Sequence, residues 1–443
     1  MSLIPGFARF AAAFAVACLL PATAHAEDRR TDAGRLTIMT FNAQFLWDGE
    51  PPEEGQVQFP WKGAPTEAQA RMEKIAAIIR QCDPDIVNLV EVENLEALTM
   101  LNDRYLPGQG YRPYLEKGRD TYTGQDVALL TRIDPEGGSI RRDDRKGQSS
   151  GASKSVSKNY IARFDVGGEK LSLIGLHFLA QPNREDRRPE REAQSDAIRR
   201  IALDEAGAGY QVVIAGDFND YDGSADSADH IDSSPITLVL SSLRAMSPAT
   251  GADDLINASR FAPKPERYTA FWDQNDNGRI EEDREFTSID HILISRALED
   301  NVRGVRFVHS HDPRELSDHF PILLFLEFGP AASQPAAAGL RITALLPNPE
   351  GDERDTESVT LTNGSTAPVD LAGWTVRDEI GQVWKLDAGG SIAAGESKTI
   401  LRGRQPMAMN NTGDTIDLIE PGGRVVQTVM YGPVAEGLAV TIE

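Results

Sequence analysis

Cysteine is scarce: 443 residues contain two, Cys18 and Cys82. That excludes a disulfide-stapled scaffold, so stability must come from a packed core or from bound ions. Cys82 ends an apolar helical pattern and reads as a small buried residue, not a nucleophile. Long apolar runs are also missing. The one candidate, Phe10–Leu20, is too short to span a bilayer comfortably, and no later segment is apolar enough to do so. Stable membrane insertion is therefore not expected. With Arg9 before the run and Ala24-His25-Ala26 after it, residues 1–26 read as a cleaved secretory signal, which implies a secreted or periplasmic protein. A lipoprotein reading would use Cys18, but Ala15 stands where a larger aliphatic residue is usual.

Positive charge is in deficit, with 45 Lys and Arg against 68 Asp and Glu, a net −23. Such a balance argues against a broad basic face for phosphate backbones. A clustered acidic site filled by divalent cations would reconcile acidity with a phosphate substrate, because the ion becomes the largest local charge. A plainly solvated acidic surface is the bland alternative. Hydrophobic residues make up 40% of the chain and charged ones 26%, which suits a globular protein and not a disordered one.

The stretch 329–339 (GPAASQPAAAG) is small and uncharged, and its two prolines mark a linker at 330–338. Before it, over 27–329, strand-length apolar runs alternate with helical patterns. The runs are Leu36–Phe41, Ile86–Val90, Val127–Leu130, Leu171–Leu176, Val212–Ala215, Ile289–Ile294 and Ile322–Phe328. Glu67–Gln81 places Met72, Ile75, Ile78 and Ile79 on one helical face, and Arg191–Leu203 does the same with Ile198, Ile201 and Ala202. This alternation predicts a layered α/β domain. Over 339–443 the helical period vanishes. Short strands at Val359–Thr362, Trp374–Val376, Thr399–Leu401, Thr415–Ile419 and Val425–Met430 predict a β-sandwich.

Polar residues sit at the strand ends. Asn42, Glu91, His177, and the pair Asp217 and Asn219 each close an apolar run; Asp318 and His319 precede one. Strand ends gathered on one side of a layered sheet form a cleft where ligands bind. Singly, each is more often a solvated strand end, and Gly216-Asp217-Phe218-Asn219 alone could be a turn. Their co-occurrence carries the reading. Carboxylates beside imidazoles suit proton transfer, and hard oxygen donors suit Mg²⁺, Mn²⁺ or Ca²⁺ rather than Zn²⁺.

Two further patterns stand outside those strand ends. Asp273, Asn275, Asn277, Gly278, Arg279 at the backbone-carbonyl position, and Glu281 match the start of an EF-hand-type Ca²⁺ loop. The twelfth position is Arg284, so Asp283 or Glu285 would have to substitute; an acidic hairpin turn is the alternative. Arg141, Arg142, Arg145, Lys146, Lys154, Lys158 and Arg163 cluster in a Gly/Ser-rich stretch, which reads either as a phosphate-gripping loop or as a mobile solvated one.

Five strings together resemble the endonuclease/exonuclease/phosphatase superfamily, which includes pancreatic-type deoxyribonucleases, AP endonucleases and bacterial sphingomyelinases. They are Thr40-Phe41-Asn42-Ala43-Gln44, Val90-Glu91-Val92-Glu93-Asn94, Gly216-Asp217-Phe218-Asn219, Ser288-Ile289-Asp290-His291 and Ser317-Asp318-His319-Phe320-Pro321, spread over roughly 35–328 in the family's order. The resemblance implies a four-layer α/β sandwich, two face-to-face sheets with outer helices, and a divalent-metal-dependent phosphodiesterase. It implies that Glu91 is the principal Mg²⁺ (or Mn²⁺) ligand, with Asn42 beside it and Asp318 at a second or indirect position. Asp217 and Asn219 would position water and phosphate, and His319, supported by Asp290, would contact the phosphate. His177 would stand on the leaving-group side, where AP endonucleases carry a tyrosine. Residues 339–443 resemble the lamin-tail domain, an immunoglobulin-like sandwich, through Val369-Asp370-Leu371-Ala372-Gly373-Trp374 and Asn411-Thr412-Gly413-Asp414; its partner is not named by the sequence.

The combination resembles bacterial extracellular nucleases, so the expected substrate is extracellular DNA, and RNA as well. A phospholipid phosphodiesterase is the alternative; it would need an apolar projection, for which Trp47–Trp61 is the sole candidate. A non-catalytic adhesion protein is the third reading, opposed by intact residues at every motif position.

Overall fold

The computed structural model describes residues 26–224, 237–247, 254–281, 285–328, 339–351, 353–378, 382–421 and 425–442. The signal segment up to His25, the expected linker 330–338, and Asp283 and Arg284 lie outside the described residues.

Among the described residues, fifteen strands build the first unit: β1 (Arg35–Leu46), β2 (Ile86–Val92), β3 (Arg112–Leu115), β4 (Asp126–Thr131), β5 (Lys146–Ser149), β6 (Ala152–Ser155), β7 (Lys158–Val166), β8 (Glu169–His177), β9 (Gln211–Asp217), β10 (Leu255–Asn257), β11 (Ala270–Phe271), β12 (Phe286–Thr287), β13 (Asp290–Ser295), β14 (Val302–Phe307) and β15 (Ile322–Glu327). One sheet runs β14-β15-β1-β2-β4-β3, and the other β10-β13-β9-β8-β7. Their facing sides interdigitate: Ile38, Val90 and Leu129 of the first meet Phe164, Leu173, Val213 and Ile292 of the second. On the outer side of the first sheet, α1 (Pro65–Cys82) presents Met72, Ile75 and Ile79 to Met39, Val87 and Leu130. On the outer side of the second, α3 (Arg188–Gly207) presents Ile198 and Ile201 to Ile174 and Ile214, with α4 (Val239–Arg244) beside it; the short α2 (Leu95–Met100) adds Leu98 to the first layer. The result is helix, sheet, sheet, helix, the four-layer arrangement expected.

The local signals are conventional. Pro65 starts α1 where its missing N–H costs nothing. Asp83 ends it in the left-handed region (φ 48°), its N–H bonded to Ile79 O. Cys82 is buried, and burial pushes its thiol up to about 11, which makes it inert.

One expectation needs correction. The stretch 141–163 is not one mobile basic loop. Residues 146–155 form the β5–β6 hairpin, packed so closely on α3 that a Cβ on Gly147 would meet Ala193 O at 2.0 Å. Residues 158–166 form the full-length β7, in which Tyr160, Ala162 and Phe164 face the core between the sheets. The Gly/Ser composition belongs to the strands and turn of the β5–β6 hairpin.

Among the described residues, the second unit is all-β apart from a single helical turn (Glu353–Thr356) and a short 3-10 turn, with two four-stranded sheets closed over Leu361, Trp374, Val376, Trp384 and Ile416. It touches the first unit through a buried charge cluster. Asp417 lies 2.9 Å from Arg377 and 3.4 Å from Arg306 of β14, and it accepts from Thr428 Oγ1. A cavity of about 840 Å³ lies at this junction, lined by Arg35, Thr37 and Glu327 at the strand ends remote from Asn42 and Asp318. Basic and acidic groups share its walls.

Candidate active site

Backbone irregularity delivers the polar residues. Strand alternation would send Val90 and Val92 to the same face. A bulge at Glu91 breaks the β1–β2 and β2–β4 registers, so that Val92 packs with Leu89 under α1 while Val90 stays between the sheets. Glu91 itself takes φ 64°, and Gln44, Phe45 and Asn219 also take positive φ. Left-handed backbone at non-glycine residues costs energy and concentrates where side chains must be re-aimed.

The groups expected from the sequence converge. Asn42 Nδ2 donates to Asp217 Oδ2 at 3.2 Å and lies 3.5 Å from His319 Nε2. His177 Nε2 is 3.5 Å from Asp217 Oδ2. His319 Nδ1 is 2.7 Å from Asp290 Oδ2, while its Nε2 lies 3.9 Å from Asp217 and 3.8 Å from Asp318. Asn219 donates its backbone N–H to Asp217 Oδ1 and its side-chain amide to Phe178 O. Asn42, Asp217, Asn219, Asp290, His177 and His319 are buried, and Glu91 and Asp318 keep partial exposure, so the pocket opens to solvent on their side.

A second ring of contacts fixes this set. Ser317 Oγ donates to Asn42 O and accepts from His319 N. Gln44 Oε1 accepts from Asp318 N. Thr269 Oγ1 accepts from the backbone N–H of Ile289 and of Asp290.

Electrostatics separate the two histidines. Burial opposes charge on His319, but the carboxylates of Asp290, Asp217 and Asp318 outweigh it and hold the imidazolium well above the usual range. Burial pushes His177 well below that range, and the positive neighbours Lys158 and His319 add to the effect. Burial and the adjacent Asp290 push Asp217 up to about 8. Glu91 and Asp318 are also raised by burial. The pocket thus holds one neutral and one charged imidazole within reach of the same carboxylate.

Sequence reasoning missed part of the site. Gln125 Nε2 donates to Glu91 Oε2 at 2.9 Å, and Gln125 Oε1 lies 3.3 Å from Lys158 Nζ, which pairs with Asp120 at 3.0 Å. Gln125 immediately precedes a strand that runs antiparallel to β2, so the start of that strand lies beside the end carrying Glu91. Lys158 likewise opens β7 and is registered opposite His177, the last residue of β8. The signal was polar residues before, as well as after, the apolar runs.

Other expected positions do not join this pocket. Of the seven clustered basic residues, Lys158 alone enters it, as an internal cation. Arg142 pairs with Asp144, Arg145 with Asp143 and Asp204, and Lys154 with Glu190, while Lys146 is exposed on β5. Arg141 and Arg163 both pair with the buried Glu205. The basic cluster is therefore largely an internally compensated brace for α3. Trp47–Trp61 does not project as an apolar finger: Trp47 is buried, stacked on Phe45 (5.3 Å between centroids) and on Phe59 (5.9 Å), and Arg71 lies over Trp61.

The residues fit a divalent cation. Glu91, Asp217, Asp290 and Asp318 crowd a space where Lys158 and His319 supply the positive charge. Asp318 Oδ1 and Asp290 Oδ1 are buried without a hydrogen-bond partner among the described residues. The tightest cluster of metal-type donors, with ligand atoms within 4.8 Å of one another, is Asp217, Asp290 and His319. The 2.7 Å bond between Asp290 Oδ2 and His319 Nδ1 occupies one donor atom of each of those two residues. Glu91 and Asp318, beside Asn42, retain the hard oxygen donors that face the open side.

In the Asp273 loop, the Asp273 carboxylate accepts from the N–H of Asn277 and of Gly278, and Asn277 Oδ1 from that of Arg279. Asn275 and Asn277 also donate their side-chain amides to the Glu281 carboxylate.

Profiles of known families agree with this architecture. That of the Endonuclease/Exonuclease/phosphatase family matches residues 39–319, and that of the Lamin Tail Domain matches 333–433. Among solved structures, TDP2 from C. elegans is 17% identical, covering 66% of this chain and 75% of its own, with a TM-score of 0.42. The 3′-5′ exonuclease NExo from Neisseria meningitidis is 19% identical, covering 66% and 100%, with a TM-score of 0.44. An endonuclease/exonuclease/phosphatase family protein from Leptotrichia buccalis is 17% identical with the same coverage and TM-score. No curated protein matches the chain.

Proposed function

The chain belongs to the endonuclease/exonuclease/phosphatase family, and from that premise we propose that it is a secreted, Mg²⁺- or Mn²⁺-dependent nuclease acting on extracellular DNA, and on RNA. The observation that carries the reading is the pairing of a neutral His177 and a charged His319 on either side of Asp217, beside the hard oxygen donors Glu91, Asn42 and Asp318. Secretion rests on the signal-like residues 1–26.

The cation held by Glu91, Asn42 and Asp318 would neutralise charge on the scissile phosphate and act as a Lewis acid. The protein's own groups do the rest. Asn42 and Asn219 orient the phosphate and Asp217 about one point. Asp217, raised by burial, is an acceptor for the proton of attacking water. His319, charged and fixed by Asp290, donates from Nε2 to a phosphate oxygen as negative charge builds. His177 presents an uncommitted Nδ1, buried without a partner among the described residues, to the leaving-group side. Lys158 and Gln125 hold Glu91 in place.

The folding back of Trp47–Trp61 supports nucleic acid over a lipid surface, because it removes the one candidate membrane-facing element. A side-by-side assay on plasmid DNA, RNA, sphingomyelin and a small phosphodiester, with Mg²⁺ and then EDTA, tests the reading. Nucleic acid cleavage that stops in EDTA is expected; sphingomyelin cleavage without DNA cleavage, or full activity in EDTA, would overturn it.

We also propose a structural Ca²⁺ at the Asp273 loop. Glu285 supplies the missing acidic position: its Oε2 accepts from Glu281 N, and its Oε1 is buried and unpartnered among the described residues. Asp273, Asn275, Asn277, the Arg279 carbonyl and Glu281 supply the remaining oxygens.

A further inference from the structure

Of the five tryptophans, four are buried or packed into a cluster, and Trp272 is about half exposed, at 51%. Its ring stacks on no other aromatic among the described residues. Its place in the chain is specific.

The segment 269–272 runs alongside the catalytic strand end. Ala270 bridges to His319, Phe271 N donates to Asp318 O at 2.7 Å, and Phe320 N donates to Thr269 O at 2.7 Å. Thr269 faces inward to hold the backbone of Asp290. Phe271 is buried against Phe286 and Phe320. The next residue leaves the core: the exposed Trp272 directly follows the residue whose N–H is bonded to the Asp318 carbonyl, one step from the partly exposed end of the pocket. The backbone there is pinned on both sides. Trp272 N donates to Glu285 O at 2.8 Å, and Asp273 is tied into the turn through Asn277 and Gly278. The backbone that carries the exposed indole is therefore fixed, so no loop has to be ordered when the ring meets a ligand.

We propose that Trp272 is a stacking platform for an unpaired nucleobase of the substrate strand, and that it gives the enzyme a preference for single-stranded over duplex substrate. The proposal rests on the nucleic-acid reading above. A strand whose phosphate lies at Asp318 and His319 must enter past this partly exposed end. In an acidic protein whose basic side chains are mostly paired, stacking supplies affinity that phosphate contacts do not. A base within a duplex has both faces covered by its neighbours; an unpaired base offers one to the indole.

The test is steady-state hydrolysis of a short single-stranded oligonucleotide, its duplex, and bis(p-nitrophenyl) phosphate, which carries no nucleobase. Trp272→Ala is expected to raise KM for the single strand by about 5- to 100-fold, with kcat changed less than about twofold and the preference over duplex lost. Trp272→Phe should recover most of the affinity. The Ala and Phe variants should hydrolyse bis(p-nitrophenyl) phosphate equally, which also reports that both are folded. Parent protein that cleaves the oligonucleotide while Trp272→Ala shows the parental KM would overturn the stacking role alone. Parent protein that cleaves bis(p-nitrophenyl) phosphate but no oligonucleotide would overturn both this role and the nucleic-acid reading.

Discussion

Asp290 Oδ2 and His319 Nδ1 lie 2.7 Å apart although one comes from the second sheet and the other precedes a strand of the first. The bond bridges the two sheets at the pocket floor, fixing the imidazole's orientation and its charge together. Asp290→Asn keeps the shape but removes the carboxylate that sustains the imidazolium. It should lower kcat by about 10²- to 10⁴-fold while leaving the melting temperature near the parent value. A rate within threefold of the parent, measured under saturating substrate, would remove Asp290 from its supporting role.

The two histidines set the pH dependence. His177 is held well below the ordinary histidine pKa, and His319 well above it. Neither therefore changes charge near pH 6.5; Asp217, raised to about 8, does lose its proton through the region above it, so kcat should rise there towards about pH 8 as the acceptor for the water's proton becomes free. Activity should fall on the alkaline side, as His319 loses its proton, and on the acid side as His177 gains one. A single limb centred on 6.5 that disappears in His177→Ala would contradict this assignment.

Lys158 stands close enough to His177 to disfavour a second positive charge. Lys158→Met removes that repulsion, so the pKa of His177 must rise towards 6.5, and the acid limb of the profile should move to higher pH. The same change removes from beside Glu91 a positive charge that opposes a divalent cation more strongly than it opposes a proton, so divalent-metal affinity should rise. Metal titration of activity should show a lower half-saturating concentration; an unaltered titration would separate Lys158 from the metal site.

Asp417 joins Arg306 of the first unit to Arg377 of the second with almost no solvent access. Asp417→Ala leaves two guanidinium groups facing each other without their counter-charge, which should cost about 3–5 kcal/mol. Chemical denaturation is the direct measurement. Preserved stability would mean that the cluster is hydrated or dispensable.

Calcium should raise the melting temperature through the Asp273 loop. The ion adds stability by mass action to the folded state alone. Asp273→Ala and Glu285→Gln should each abolish the Ca²⁺-dependent increment seen by scanning calorimetry, while activity with Mg²⁺ persists. An equal increment in both variants would place the ion elsewhere.

Much of the fold could be read directly. The apolar runs at Leu36–Phe41 and Ile86–Val90 became neighbouring strands of the first sheet, and Val212–Ala215 a central strand of the second, as their lengths and apolar character suggested. Asn42, Glu91, Asp217 and His319 were legible because each adjoins such a run. Gln125 and Asp120 were not, since their importance depends on β4 running antiparallel to β2 and on a turn that folds back to Lys158. The basic cluster misled for a related reason. Charge density along the chain says nothing about whether Glu205, Asp204 or Glu190 waits across the gap.

The sequence by itself determined the periodic elements, the polar punctuation at their ends and the division into an α/β unit and a β unit, because these follow from backbone geometry and local burial. Only the tertiary structure decided which charges are spent on each other and which remain to act. Electrostatic partnership depends on distance in space, and residues as far apart in sequence as Asn42 and His319, or Arg306 and Asp417, acquire that distance only when the sheets close.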